Sequence, residues 1–144
     1  MEVEEGVKEI LSRMEIQLDN EEYVIISLSR NQEEKVRQSI KRLAPFSSIT
    51  YDYKEVSIVA KTTEWNKVSN QFKTYEIAGP YKLITFNIVL DLSIVGFMAI
   101  ISKKLADAGL SIYAISTYLR DHILVKSEDA ENAVRVLENL KIES

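Results

Sequence analysis

The chain has 144 residues, 46% of them apolar and 28% charged, with a net charge of −4. That is enough apolar material for one ordinary domain or two small units, and an acidic chain without a basic run argues against a nucleic-acid groove. Cysteine is absent, which removes disulfides, thiolate catalysis and cysteine-based zinc sites.

The N-terminal run MEVEEGVKEILSRM has neither the basic start nor the apolar centre of a signal peptide, and the longest apolar runs are too short to span a bilayer. A soluble, cytoplasmic protein is therefore expected, with no membrane partner. Val7, Ile10, Leu11 and Met14 fall at helical spacing and predict a helical segment within residues 1–13. Residues Met14–Leu18 alternate apolar and polar, as a strand in need of a neighbour does.

Tyr23–Ser29 is rich in strand-forming residues. Asn31 followed by Glu34 resembles a capping box; Val36, Ile40 and Leu43 mark one face of the helix that follows, and Pro45 is expected to end it. Ser48–Tyr53 and Glu55–Lys61 read as strands. Thr63 can cap a short helix carrying Trp65, Val68 and Phe72 inward, and Lys73–Ala78 is a closing strand. AGP at 78–80 is the strongest punctuation in the chain. Beyond it, Tyr81–Leu90 alternates cleanly. A helix is predicted over 97–108 with Gly109 at its C′ position, then strands at Ser111–Tyr118 and His122–Lys126. Ser127 can cap the last helix, whose core stripe is Ala130, Ala133, Val134, Leu137 and Leu140.

A shift of 65 residues brings the halves into register without a gap: YVIISLSRN lies over IVLDLSIVG, and EVSIVAK over RDHILVK. Each half reads strand-helix-strand-strand-helix, the opening of a ferredoxin-like βαββαβ unit. The expected fold class is α+β: two such units in tandem, antiparallel sheets with helices on one face. The expected boundaries are 14–78 and 79–144, after the helical segment at 1–13. The second unit lacks its own last strand, so Met14–Leu18 is predicted to pair with the second sheet.

Three chemical readings can be tested on the residues. Asp121 and His122 are adjacent on a predicted strand, so their side chains point to opposite faces and cannot form an orienting dyad there. Metal ligation is poorly served by one histidine and scattered carboxylates, and no cofactor or metal is expected. The loop in LDLSIVGF lacks the Lys-Ser/Thr pair of a phosphate loop, yet Gly96 stands at a helix N-terminus, where free backbone N–H groups can receive a carboxylate. A glycine that merely relieves a tight turn explains the same position equally well.

The run LDLSIVGFMAIISKKLADAGLSIYAISTYLRDHILVKSEDAENAVRVL resembles an ACT domain. More narrowly, it is similar to the tandem-ACT group related to the ACT regions of aspartate kinases and to CASTOR-type arginine sensors. The marks are the Gly96 loop, LADAGLSIYAISTY at 105–118 and DHILV at 121–125; EVSIVAK at 55–61 resembles the shorter partner unit. The resemblance implies a regulatory module that binds an amino acid between two ACT units. It assigns one wall to the loop Leu90, Asp91, Leu92, Ser93, Ile94, Val95, Gly96 and Phe97. Ser116, Thr117, Tyr118 and Asp121 form a second element, and Ser111 and Ile112 come from a facing strand. The loop N–H groups suit a carboxylate, and Asp121 with loop carbonyls suits an ammonium. Ile94 stands where the arginine-sensing relatives carry an acidic residue, and Asp91 where they carry glycine. This points to an apolar or small amino acid rather than arginine. The first half has Asn31 at the glycine position, and no full site is expected there.

The leading expectation is thus a non-enzymatic, allosteric amino-acid sensor acting as a homodimer upon an unidentified downstream protein. The rivals are a ligand-free dimerisation module and a small hydrolase using Asp121 and His122.

Overall fold

The computed structural model describes residues 5–143; residues 1–4 of the predicted N-terminal helix lie outside that range. The elements in chain order are α1 (Glu5–Arg13), β1 (Glu15–Ser29), α2 (Glu33–Ser39), β2 (Ser48–Tyr51), β3 (Glu55–Lys61), α3 (Thr62–Val68), β4 (Glu76–Asn87), α4 (Phe97–Asp107), β5 (Ile112–Ser116), β6 (Asp121–Lys126) and α5 (Ala130–Glu143). The fold is α+β and ferredoxin-like, and the β1–β3, β2–β3 and β5–β6 ladders are antiparallel.

The chain divides into two units, one of residues 21–81 and one of residues 1–20 with 82–144. The division cuts through β1 and β4, so each of these long strands contributes one half to each unit. In the 21–81 unit the strand order is β2-β3-β1-β4; in the other it is β1-β4-β6-β5. Numbered within its own unit, each is the ferredoxin order 2-3-1-4. The last strand of the second set is the N-terminal half of β1, where Glu15 meets Asn87 and the Lys82 ammonium donates to the Asn20 carbonyl at 2.6 Å.

Two pairs of predicted strands are single strands in the structure. Met14–Leu18 and Tyr23–Ser29 belong to β1, and Lys73–Ala78 and Tyr81–Leu90 to β4. The AGP punctuation therefore does not break the chain. Gly79 adopts φ +147° inside β4, and a Cβ there would lie 3.0 Å from the Tyr23 carbonyl oxygen. The glycine permits close backbone approach rather than a turn.

Two cores follow from the alternation. In the 21–81 unit, Val24, Ile26, Leu28, Val56 and Ile58 pack with Val36 and Ile40 and with Trp65 and Phe72, whose rings stack at 5.8 Å. In the other, Ile84, Phe86, Ile123 and Val125 meet Val7 and Leu11 of α1, Ile101 and Leu105 of α4, and Ala133 and Leu137 of α5. Each large apolar side chain buried this way contributes about 1.5–3 kcal/mol.

Two local expectations are corrected. The Asn31 carboxamide oxygen accepts from the Ser29 hydroxyl in a tight 3₁₀ turn at Arg30–Gln32, and no side chain caps α2. That helix ends at Ser39, well short of Pro45, because Ile40 is extended at φ −104°, ψ 91° while its side chain still reaches the core.

Candidate functional site

The site is built around the connection from β4 to α4. Gly96 is the N-cap of α4 with φ +95°, a region that favours glycine. Ile100 is the first residue of the helix to bond back, its N–H donating to the Gly96 carbonyl at 3.2 Å, and no side chain caps the helix. The amides of the first turn are left without intrahelical acceptors, and the positive end of the helix dipole lies there. α4 is anchored by Phe97, whose ring packs edge-on against Phe86 at 5.5 Å.

The preceding loop is pinned by its own side chains. The Asp91 carboxylate accepts the Ser93 N–H at 2.8 Å and the Ser93 hydroxyl at 2.6 Å, and these bonds hold its carboxyl below the ordinary range. The Ile94 N–H donates to the Asp91 carbonyl at 3.0 Å.

The opposite wall is the β5–β6 hairpin. Ser116 and Asp121 are its last ladder pair, and the Ser116 hydroxyl donates to Asp121 Oδ1 at 2.6 Å. The connecting turn is closed by the Thr117 N–H and hydroxyl, which donate to the Arg120 carbonyl at 2.9 and 3.0 Å. One backbone bond ties the walls together: the Leu90 N–H donates to the Leu119 carbonyl at 2.9 Å.

Between these walls lies a cleft of about 290 Å³. The structure brings ten residues singled out in the sequence to its lining: Leu90, Asp91, Leu92, Ile94, Gly96, Phe97, Ser116, Thr117, Tyr118 and Asp121. Ser93 and Val95 belong to the same loop but do not line it. Ile112 opens β5 and Ser111 directly precedes it, so Ile112 is about four strand steps or 13 Å from Ser116 and Ser111 lies one residue further. Met98, Ala99, Leu119 and Arg120 also line the cleft. The position of Met98 and Ala99, in the first turn of α4 directly after the loop, is the signal that could have found them. The Arg120 guanidinium is steered by Asn87, whose Oδ1 accepts from Nε at 3.1 Å.

Asp121 and His122 part company as strand alternation requires. While Asp121 accepts from Ser116, His122 Nδ1 lies 2.9 Å from the Thr85 hydroxyl, and the imidazole is only 8% exposed. Burial pushes its pKa below the ordinary value, with Asp121 opposing and Arg120 reinforcing the shift. Among the described residues no three acidic or histidine side chains are grouped to hold a metal.

The cleft thus combines backbone donors, two carboxylates, hydroxyls and apolar side chains within one small volume. Residues 79–139 match the family model of the ACT domain. Both walls of the cleft lie inside that ACT match. No curated protein matches the chain by sequence. Among solved structures, a protein of unknown function from Vibrio cholerae, described as a possible transport protein, has a TM-score of 0.72 at 22% identity, over 94% of this chain and 96% of its own. The regulatory subunit of aspartate kinase from Thermus flavus has a TM-score of 0.71 at 13% identity, over 87% of this chain and 95% of its own. The Clostridium acetobutylicum aspartate kinase gives 0.72 at 16% identity, over 90% of this chain and 34% of its own. At these identities the likeness is one of fold.

Proposed function

We propose that this chain is a non-catalytic, cytoplasmic regulatory protein that binds an amino acid at the Gly96 cleft. A second copy would close the cleft, as an ACT–ACT interface, and the output would pass to another protein. The observation that carries the reading is the pairing of an uncapped helix N-terminus with the Asp121 carboxylate across one cleft. The first suits a ligand carboxylate and the second a ligand ammonium. Leu90, Leu92, Ile94, Phe97 and Met98 suit an apolar side chain between them. The tandem-ACT, CASTOR-like relationship belongs to the same proposal.

Thermal-shift measurements with each standard amino acid test it. A ligand at about a hundred times its Kd stabilises the fold by roughly 2.7 kcal/mol, a rise of several degrees. The rise is expected for an apolar or small amino acid and is lost in Asp121→Ala. A dimer that responds to no amino acid favours the ligand-free assembly reading instead. That rival draws on the apolar side chains left in solvent beside the cleft, Leu92, Val95 and Tyr118.

A further inference from the structure

Two fasteners join the walls of the Gly96 cleft. One is the backbone bond from the Leu90 N–H to the Leu119 carbonyl at 2.9 Å. The other joins two side chains: Arg120 Nε donates to Asn87 Oδ1 at 3.1 Å. Asn87 is the last residue of β4, and Arg120 immediately precedes β6. Both fasteners therefore run from the short 87–90 segment to the end of the hairpin turn. The segment leads into the Gly96 loop, and the turn leads directly into Asp121.

The side-chain fastener is itself braced. Asn87 alternates with the core residue Phe86, so it shares with Thr85 the sheet face turned away from the core. There Asn87 Nδ2 donates to Glu15 Oε2 at 3.5 Å, and Gln17 Nε2 donates to Glu15 Oε1 at 3.2 Å. The Asn87 carboxamide is thus held from β1 with its oxygen turned to Arg120. Among the described residues Arg120 forms no ion pair, and this carboxamide is its side-chain partner.

We propose that Arg120 and Asn87 are positioning residues, and that their bond is a latch setting the spacing of the cleft walls. The inference rests on the reading of the Gly96 cleft as a ligand site and adds the device that holds it in binding geometry. A ligand that meets Asp121 on one wall and the α4 amides on the other needs both held to within about 0.5 Å. The Leu90–Leu119 bond alone leaves the walls a pivot. A second bond, three residues back along the chain at Asn87, removes that freedom.

The test joins calorimetry and NMR on the full chain. The titrant is the standard L-amino acid that raises the melting temperature most. Arg120→Met keeps the side-chain length and removes its donors; Asn87→Leu keeps the size and removes the acceptor. Each is expected to weaken binding about tenfold, and the double variant no further than either alone, since all three lose the same bond. Glu15→Gln with Asn87→Asp exchanges amide and carboxylate but keeps both hydrogen bonds, and should bind within about twofold of the parent. A general loss of stability would not be restored by that exchange. Without ligand, the Arg120 Nε–H of the parent should exchange slowly with solvent, and Arg120→Met should shift the amides of residues 93–97 on the facing wall. If those amides stay in place the latch is overturned, whether or not any amino acid binds. Weaker binding in Arg120→Met but not in Asn87→Leu also overturns it, and makes Arg120 a direct ligand contact. A parent that binds no amino acid, with the 93–97 amides still responding, sinks the ligand reading and supports the latch.

Discussion

The Ser116 hydroxyl donates to Asp121 Oδ1 at 2.6 Å across the last rung of the β5–β6 ladder. The bond fixes the carboxylate at the rim of the cleft with its second oxygen left for another donor. Asp121→Ala is therefore expected to abolish amino-acid binding by calorimetry. The fold should survive, since a rim substitution of this kind costs within about 1 kcal/mol in denaturant titration. Ser116→Ala keeps the charge but frees its rotamer, so binding weakens several-fold without vanishing. Unchanged affinity in Asp121→Ala removes Asp121 from the site.

Gly96 separates backbone strain from steric conflict. Its φ of +95° strains any residue with a Cβ, yet such a Cβ would meet no heavy atom within 4 Å. Gly96→Val is expected to cost about 1–3 kcal/mol, all of it conformational. Gly96→Asn should cost less, because asparagine tolerates positive φ better. If the two variants unfold at the same urea concentration, crowding rather than backbone conformation governs the position.

The strand core was legible in the sequence wherever one face alternated, and β3 at Glu55–Lys61 is read to the residue. What misled was punctuation. Gly79 and Pro80 look like a turn, but the signal for a turn and the signal for close backbone approach use the same residues. Only the neighbour at 3.0 Å, the Tyr23 carbonyl oxygen, tells them apart. The halves of the Gly96 cleft were legible because a loop glycine and an Asp-bearing hairpin leave local marks. Arg120 was not, because its place depends on which strand ends converge. Asn31 looked like a helix cap for a related reason: its geometry was decided by the neighbouring Ser29 hydroxyl.

Gly109 and Gly79 both have positive φ but differ in what surrounds them. Gly109, with φ +77°, has open space around it, so Gly109→Ala costs only the conformational penalty of about 1–2 kcal/mol. Gly79→Ala adds a conflict with the Tyr23 carbonyl oxygen and with Val24, and is expected to cost about 3 kcal/mol. Chemical denaturation of the two variants checks the order. A Gly79→Ala protein as stable as Gly109→Ala removes the close approach as the reason for the glycine.

His122 gives the fold a defined pH response. Its folded-state pKa lies below the ordinary 6.5, chiefly through burial, so the unfolded chain takes up the proton first as pH falls. The contribution is complete above the unfolded value of 6.5 and is lost as pH drops towards the folded value. The urea midpoint of the parent should fall between about pH 7 and about pH 5, and the fall should be shallower in His122→Gln. Identical pH profiles in the two proteins would show that the imidazole does not carry the effect.

Large apolar side chains stand in solvent on both walls of the cleft. Leu92 and Val95 are each 70% exposed and Tyr118 is 76% exposed, on the two segments that wall the proposed site. A second copy seated there would bury them, and a stable interface needs about 800 Å² from each partner. Val95→Asp, on the same loop but outside the cleft lining, is expected to leave single chains in sedimentation equilibrium, where the proposed dimer sediments as two. The ligand links to this equilibrium: if it is held between copies, it must tighten the dimer by the same factor that dimerisation tightens the ligand. The monomeric variant should accordingly lose amino-acid binding at the Gly96 cleft even with Asp121 and Gly96 intact. Full binding by a single chain would confine the site to one copy and leave the exposed side chains to some other contact.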